Sequence, residues 1–104
     1  MNTLEKAINQ IKNCSQIIAC KTFDEIKSLF DDLSNRGYTW IDNAQLDEIL
    51  DDLIDIDRAV YVVIYEDKKL IDDFMELSIF MMKDEDKNLF LDRVTTYKKI
   101  KDTQ

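Results

Sequence analysis

Apolar residues in this chain recur in two rhythms, one helical and one extended, and their alternation outlines most of the fold. Leu4, Ala7, Ile8 and Ile11 repeat at helical spacing behind Thr3, which predicts a threonine-capped first helix fading around residues 13–15. Gln16-Ile-Ile-Ala-Cys20 is short, β-branched and flanked by polar residues, as a strand should be. Thr22-Phe-Asp-Glu25 then has the spacing of a capping box, with threonine at the N-cap and glutamate at N3. Phe23, Ile26, Leu29, Phe30 and Leu33 carry a second helix as far as Ser34-Asn-Arg-Gly37. Gly37 is the only glycine, and it falls where a helix needs a left-handed C′ residue.

Tyr38-Thr-Trp-Ile41 reads as a second short strand, aromatic and β-branched. Asp42, with Gln45 three residues on, is expected to start a third helix. Leu46, Ile49, Leu50 and Leu53 give that helix one buried face, while Asp47, Glu48, Asp51, Asp52 and Asp55 form a second stripe made only of carboxylates. Ala59-Val-Tyr-Val-Val-Ile-Tyr65 is apolar throughout, which predicts a central strand covered on both faces.

Glu66-Asp-Lys-Lys69 is a polar turn, and Leu70-Ile71 opens a hairpin partner. Phe74, Leu77, Ser78 and Met81 suit a helix from about Asp72, with a strand through Leu77 to Met82 as the alternative. Residues 83–88 read as a charged loop. Leu89, Phe90, Arg93, Val94, Tyr97 and Ile100 then mark a C-terminal helix, with Lys98, Lys99 and Lys101 complementing its dipole. The pattern predicts one α+β domain over residues 1–104. It has a small mixed or antiparallel sheet of three to four strands under four to five helices.

Charge changes the picture next. The net charge is −8, which sets the chain against nucleic-acid phosphates and anionic membranes and suits a basic protein surface. The acidity is local: residues 24–57 hold eleven carboxylates against Lys27 and Arg36 alone. Within the acidic helix, Asp47–Asp51, Glu48–Asp52 and Asp51–Asp55 are like-charge pairs at i, i+4, each opposing the helix by roughly 0.2–0.5 kcal/mol. Five carboxylates over positions 47–55 span about 12 Å at a rise of ~1.5 Å per residue. That is one charge per ~3 Å, close to the ~3.4 Å spacing of phosphates along a DNA strand. The plain alternative is a solvated face that keeps the domain soluble.

Catalytic chemistry finds little support. Histidine is absent, so the commonest general base and metal ligand is missing. Cys14 and Cys20 lack an activating partner and Cys-x-x-Cys spacing, and they read as two reduced thiols of a cytoplasmic protein. A disulfide between them is the alternative. No charged-then-apolar signal opens the chain, and no apolar run approaches the ~20 residues of a membrane span. Asp84-x-Asp86-x-Asn88 with Asp92 resembles the start of a calcium loop, but Leu89 stands where the turn needs glycine and Thr95 where a glutamate should close it. Glu66-Asp-Lys68 is half of a metal-nuclease motif, but Asp57 lies a strand's length away. Met75, Phe80, Met81 and Met82 read first as core filling and second as an adaptable binding surface. Neither cofactor nor metal is expected, and the chain reads as a non-enzyme.

Lys21 to Trp40, a strand leading into a Thr-capped helix that ends in Gly-Tyr-x-Trp, resembles a segment of small bacteriophage-encoded proteins. Tyr65-Glu-Asp-Lys-Lys-Leu70 looks like their later strand-turn-strand, while the acidic helix after Trp40 departs from them. Such proteins include inhibitors of host-defence nucleases, anti-CRISPR proteins among them. The element order also looks like that of barstar, an acidic ribonuclease inhibitor. The resemblance implies a phage protein acting in the host cytoplasm as a nuclease inhibitor and DNA mimic. The carboxylate stripe, and not the resemblance, supplies the residues such a protein would present to a basic partner: Asp47, Glu48, Asp51, Asp52 and Asp55, aided by Asp31 and Asp32. An antitoxin or immunity-type protein and a structural homo-oligomer are the alternative readings, and a homodimer is compatible with the first.

Overall fold

In a computed structural model, residues 3–54 and 58–98 are described, and they form five helices and one five-stranded mixed sheet. The order along the chain is α1 (Thr3–Asn13), β1 (Gln16–Cys20), α2 (Phe23–Asn35), β2 (Thr39–Trp40), α3 (Leu46–Leu53) and β3 (Val60–Tyr65). β4 (Leu70–Met75), α4 (Glu76–Phe80), α5 (Asp84–Arg93) and β5 (Val94–Thr96) follow. The α+β class and the strands at Gln16–Cys20 and Val60–Tyr65 agree with the apolar pattern, but the sheet has five strands, not three to four.

The order across the sheet is β2-β4-β3-β1-β5. β3 is central, antiparallel to β1 (Ile18↔Val62) and to β4 (Ile64↔Ile71), and Val60, Val62, Val63 and Ile64 are all buried. β2 and β5 run parallel to β4 and β1 at the two edges. Strand alternation sorts the core into two layers. Ile18, Cys20, Val62, Ile64 and Ile71 face Ile26, Phe30 and Leu33 of α2 and Leu46, Leu50 and Leu53 of α3. Ile17, Val63 and Phe74 face Ala7 and Ile11 of α1 and Phe90 of α5. On that side Tyr61 stacks on Phe74 at 5.3 Å between ring centres and meets Phe90 edge-on at 5.2 Å.

The ends of α2 follow the sequence signals closely. Thr22 Oγ1 accepts from the Glu25 N–H at 3.2 Å, while the Glu25 carboxylate accepts from the N–H of Lys21, one residue upstream of the N-cap, at 2.8 Å. At the other end the Gly37 N–H donates to the Ser34 carbonyl and the Tyr38 N–H to the Leu33 carbonyl, the paired bonds of a Schellman cap. Gly37 has φ +89°, and a Cβ there would meet nothing within 4 Å, so any side chain is opposed by backbone conformation alone.

Three expectations in the second half are corrected. Residues 70–75 form a full strand: β4 pairs with β3 from Tyr65↔Leu70 to Val60↔Met75, and a helix begins only at Glu76. The tight hairpin supplies six consecutive pairings, which outweigh the helical spacing of Phe74, Leu77 and Met81. Residues 84–88 are helical, forming the first turns of α5 instead of a loop. The helix expected to continue to Ile100 stops at Arg93, because Val94, Thr95 and Thr96 are three β-branched residues in a row and add a strand beside β1. Tyr97 and Lys98 are helical again after that strand, so Lys98 does not complement the dipole of α5; Lys99, Ile100 and Lys101 lie outside the described residues.

Candidate acidic interaction face

α3 starts later and ends earlier than its acidic pattern suggested. Asp42 does not cap it. Its Oδ1 accepts from the Ala44 N–H at 3.1 Å, closing a turn in which Asn43 takes φ 68°, and the helix begins at Leu46 behind Gln45. The helix ends at Leu53, and Asp55 lies outside the described residues. The carboxylates on α3 are therefore Asp47, Glu48, Asp51 and Asp52, and they rise about 7.5 Å along the axis, not the 12 Å that five would span.

All four are exposed, while Leu46, Leu50 and Leu53 are buried against the sheet. At about 100° per residue, the four acids cover an arc of roughly 140° opposite the apolar face. The core thus holds the helix by one side and points the charge outward. Asp47 and Glu48 lie in the first turn, where the helix dipole favours carboxylates. Asp51 and Asp52 lie in the last turn, where it opposes them, and no base stands in that turn. Each also repels an acid one turn earlier. Helix formation explains Asp47 and Glu48 and leaves Asp51 and Asp52 unexplained.

α2 packs beside α3 and adds Asp31, which is exposed. Asp32 faces elsewhere. It is half-buried in a cleft of about 240 Å³, together with Arg36, Tyr38, Glu66 and Tyr97, and no residue of α3 lines that cleft. Of the residues picked out in the sequence, Asp31, Asp47, Glu48, Asp51 and Asp52 stand exposed on two adjacent helices, while Asp32 belongs to a separate recess.

The other chemical candidates separate in space. Cys14 and Cys20 are free thiols in different core layers. Burial, together with the Glu25 charge, pushes the Cys20 thiol up to about 12. Burial also raises Cys14 against the opposing Arg93 guanidinium. Both stay protonated near neutral pH and are poor nucleophiles. Asp84, Asp86, Asn88 and Asp92 lie on a regular helix, which cannot wrap a cation as a calcium loop does. Among the described residues no three Asp, Glu, Cys or His side chains gather as metal ligands. Asp57, the partner considered for Glu66 and Lys68, lies outside the described residues. The methionine segment divides: Met82 is buried, whereas Phe80 and Met81 are 69% and 57% exposed and fill no core.

Two polar groups escaped the sequence reading, Gln10 and Asp72, both buried on the α1 side of the sheet. The available signal was Asp72-Asp73 interrupting the apolar run from Leu70 to Phe74. Known families, curated proteins and solved structures offer no match to this chain. Among the described residues no helix is long and apolar enough to cross a membrane.

Proposed function

We propose that this protein is a non-enzymatic inhibitor, phage-encoded and acting in the host cytoplasm. In this reading it binds the basic nucleic-acid-binding surface of a defence nuclease through α3. One observation carries it: Asp51 and Asp52 are exposed in the last turn of a helix whose dipole and neighbouring acids both oppose them. A face selected only for solubility has no reason to keep carboxylates there, since lysine would serve solubility and stabilise the helix. A partner that needs negative charge at those positions supplies the reason. Four carboxylates within about 7.5 Å match two or three phosphates, so α3 competes for the entrance of a basic channel and does not imitate a long duplex.

The test uses a purified CRISPR effector nuclease and a labelled DNA duplex, with anisotropy reporting the bound fraction. The wild-type chain displaces the duplex, and displacement weakens steeply with salt because steering by exposed charge is screened. Asp51→Lys/Asp52→Lys, folded by circular dichroism, loses displacement. Unchanged displacement by that variant sinks the reading.

A structural or assembly homo-oligomer is the second reading, favoured by the adjacent exposed side chains of Phe80 and Met81. It calls for concentration-dependent self-association in sedimentation that Phe80→Ser abolishes.

A further inference from the structure

The sheet face away from α3 carries a cleft of about 340 Å³ between α1 and β4, within the size range of small-molecule sites. Lys6, Gln10, Ile41, Tyr65, Lys68 and Asp72 contribute to its lining. Its polar groups are unevenly satisfied. Gln10 is 5% exposed; its Nε2 donates to the Asp73 carbonyl at 3.1 Å, which orients the amide, and its Oε1 has no hydrogen-bond partner among the described residues. Asp72 is 3% exposed, and its Oδ1 accepts the Asp73 N–H at 2.8 Å. Gln10 Oε1 and the Asp72 carboxylate thus give the inner wall two acceptors beside the Tyr65 hydroxyl, the first of them unpaired although buried polar atoms are normally paired. Lys6 and Lys68 are exposed, so the cationic groups lie on the outer side. A ligand with adjacent N–H donors at one end and an anion at the other fits that polarity.

We propose that this cleft binds a guanine mononucleotide, its donor edge on Asp72 and Gln10 and its phosphate against Lys6 and Lys68. Guanine presents N1–H and N2–H side by side, the spacing a carboxylate accepts as a pair, and the second N2–H is the donor Gln10 Oε1 lacks. The flat base suits a wall made of Ile41 and the half-buried Tyr65 ring. Adenine turns an acceptor, N1, toward Asp72 and is rejected by lone-pair repulsion. The net charge of the whole chain opposes phosphate. However, the α1 wall belongs to residues 1–23, which hold three lysines and one glutamate.

The test is titration of the full chain with GMP by calorimetry and by amide NMR. Saturable binding is expected, with the Gln10 side-chain amide shifting. AMP and Asp72→Asn should each bind about tenfold more weakly or worse. Lys68→Glu, on the exposed hairpin turn, should also weaken binding while leaving the fold intact. No binding of GMP, with water alone filling the cleft, overturns the proposal. So does equal affinity for AMP, or unchanged affinity in both variants. Asp51→Lys/Asp52→Lys should leave GMP binding unchanged, since α3 packs on the other sheet face.

Discussion

Asp51-Asp52 and Asp72-Asp73 are the same dipeptide in opposite surroundings. The first pair sits on α3, exposed to water, where each carboxylate keeps its hydration and repels its neighbours only weakly. The second sits in the middle of β4, with Asp72 buried and Asp73 half-buried. Burial first, and the Asp72 charge second, push the Asp73 carboxyl up to about 6 against the opposing charge of Lys6. The exposed pair is conspicuous in the sequence yet strains the molecule little. The second pair is less conspicuous in the sequence and, through Asp73, sets the larger electrostatic penalty. Charge density along a chain is therefore a poor guide to where charge matters most to folding; burial decides it.

Four experiments break or sharpen this contrast. The largest effect belongs to the apolar neighbour of the exposed pair: Leu50→Ala should lower stability by about 2–4 kcal/mol in urea unfolding, because Leu50 anchors α3 to the sheet. Asp73→Asn comes next. A carboxyl whose folded pKa is raised binds its proton more tightly when folded. Its stabilising contribution is thus complete below pH ~4 and is lost as pH rises through about 6. Near pH 7.5 the asparagine variant should be more stable than wild type by about 2 kcal/mol. It should also lack most of the decline in urea midpoint between pH 4 and 6.5. A wild-type midpoint that rises over that interval would contradict the placement of Asp73.

The exposed pair should respond in the opposite functional sense and more weakly. Asp51→Lys/Asp52→Lys turns two repulsive i, i+4 pairs into attractive ones and suits the dipole, so it should raise stability by about 1 kcal/mol while abolishing displacement of DNA. A gain in stability together with a loss of binding is the signature of a functional charge; loss of both would point to a structural role. The smallest change is Asp47→Asn in the first turn, expected to lower stability by about 0.3–0.5 kcal/mol. The sign difference between positions 47 and 51 on one helix separates dipole effects from generic solubility.

Much of the fold was legible because it is written locally. Thr22 and Gly37 bound α2 through hydrogen bonds that span three to five residues, and the unbroken apolar run at Val60–Tyr65 has no place except a strand buried on both faces. Leu46, Leu50 and Leu53 likewise gave α3 its inward side. What failed was read from spacing alone: Phe74 suited a helix, and Val94 suited the continuation of another. In both places a neighbouring strand offered backbone partners that helical periodicity does not reveal. The acidic site was legible as a stripe, but its length was not, because the end of α3 before Asp55 lacks a sequence signal as clear as Gly37.

The acidic stripe, its self-repulsion and the missing basic relief in α3 are properties of the sequence by itself, since residues three and four apart must meet on any helix. Whether that stripe is outward, and how long it runs, came from the packing of Leu50 and Leu53 on the sheet. The burial of Asp72, the lone acceptor of Gln10 and the cleft they line came only from the tertiary structure. They depend on α1 meeting β4 across 63 positions of chain, from Gln10 to Asp73. Local patterns cannot encode such an encounter, because its geometry is fixed only when the two core layers close on opposite faces of one sheet.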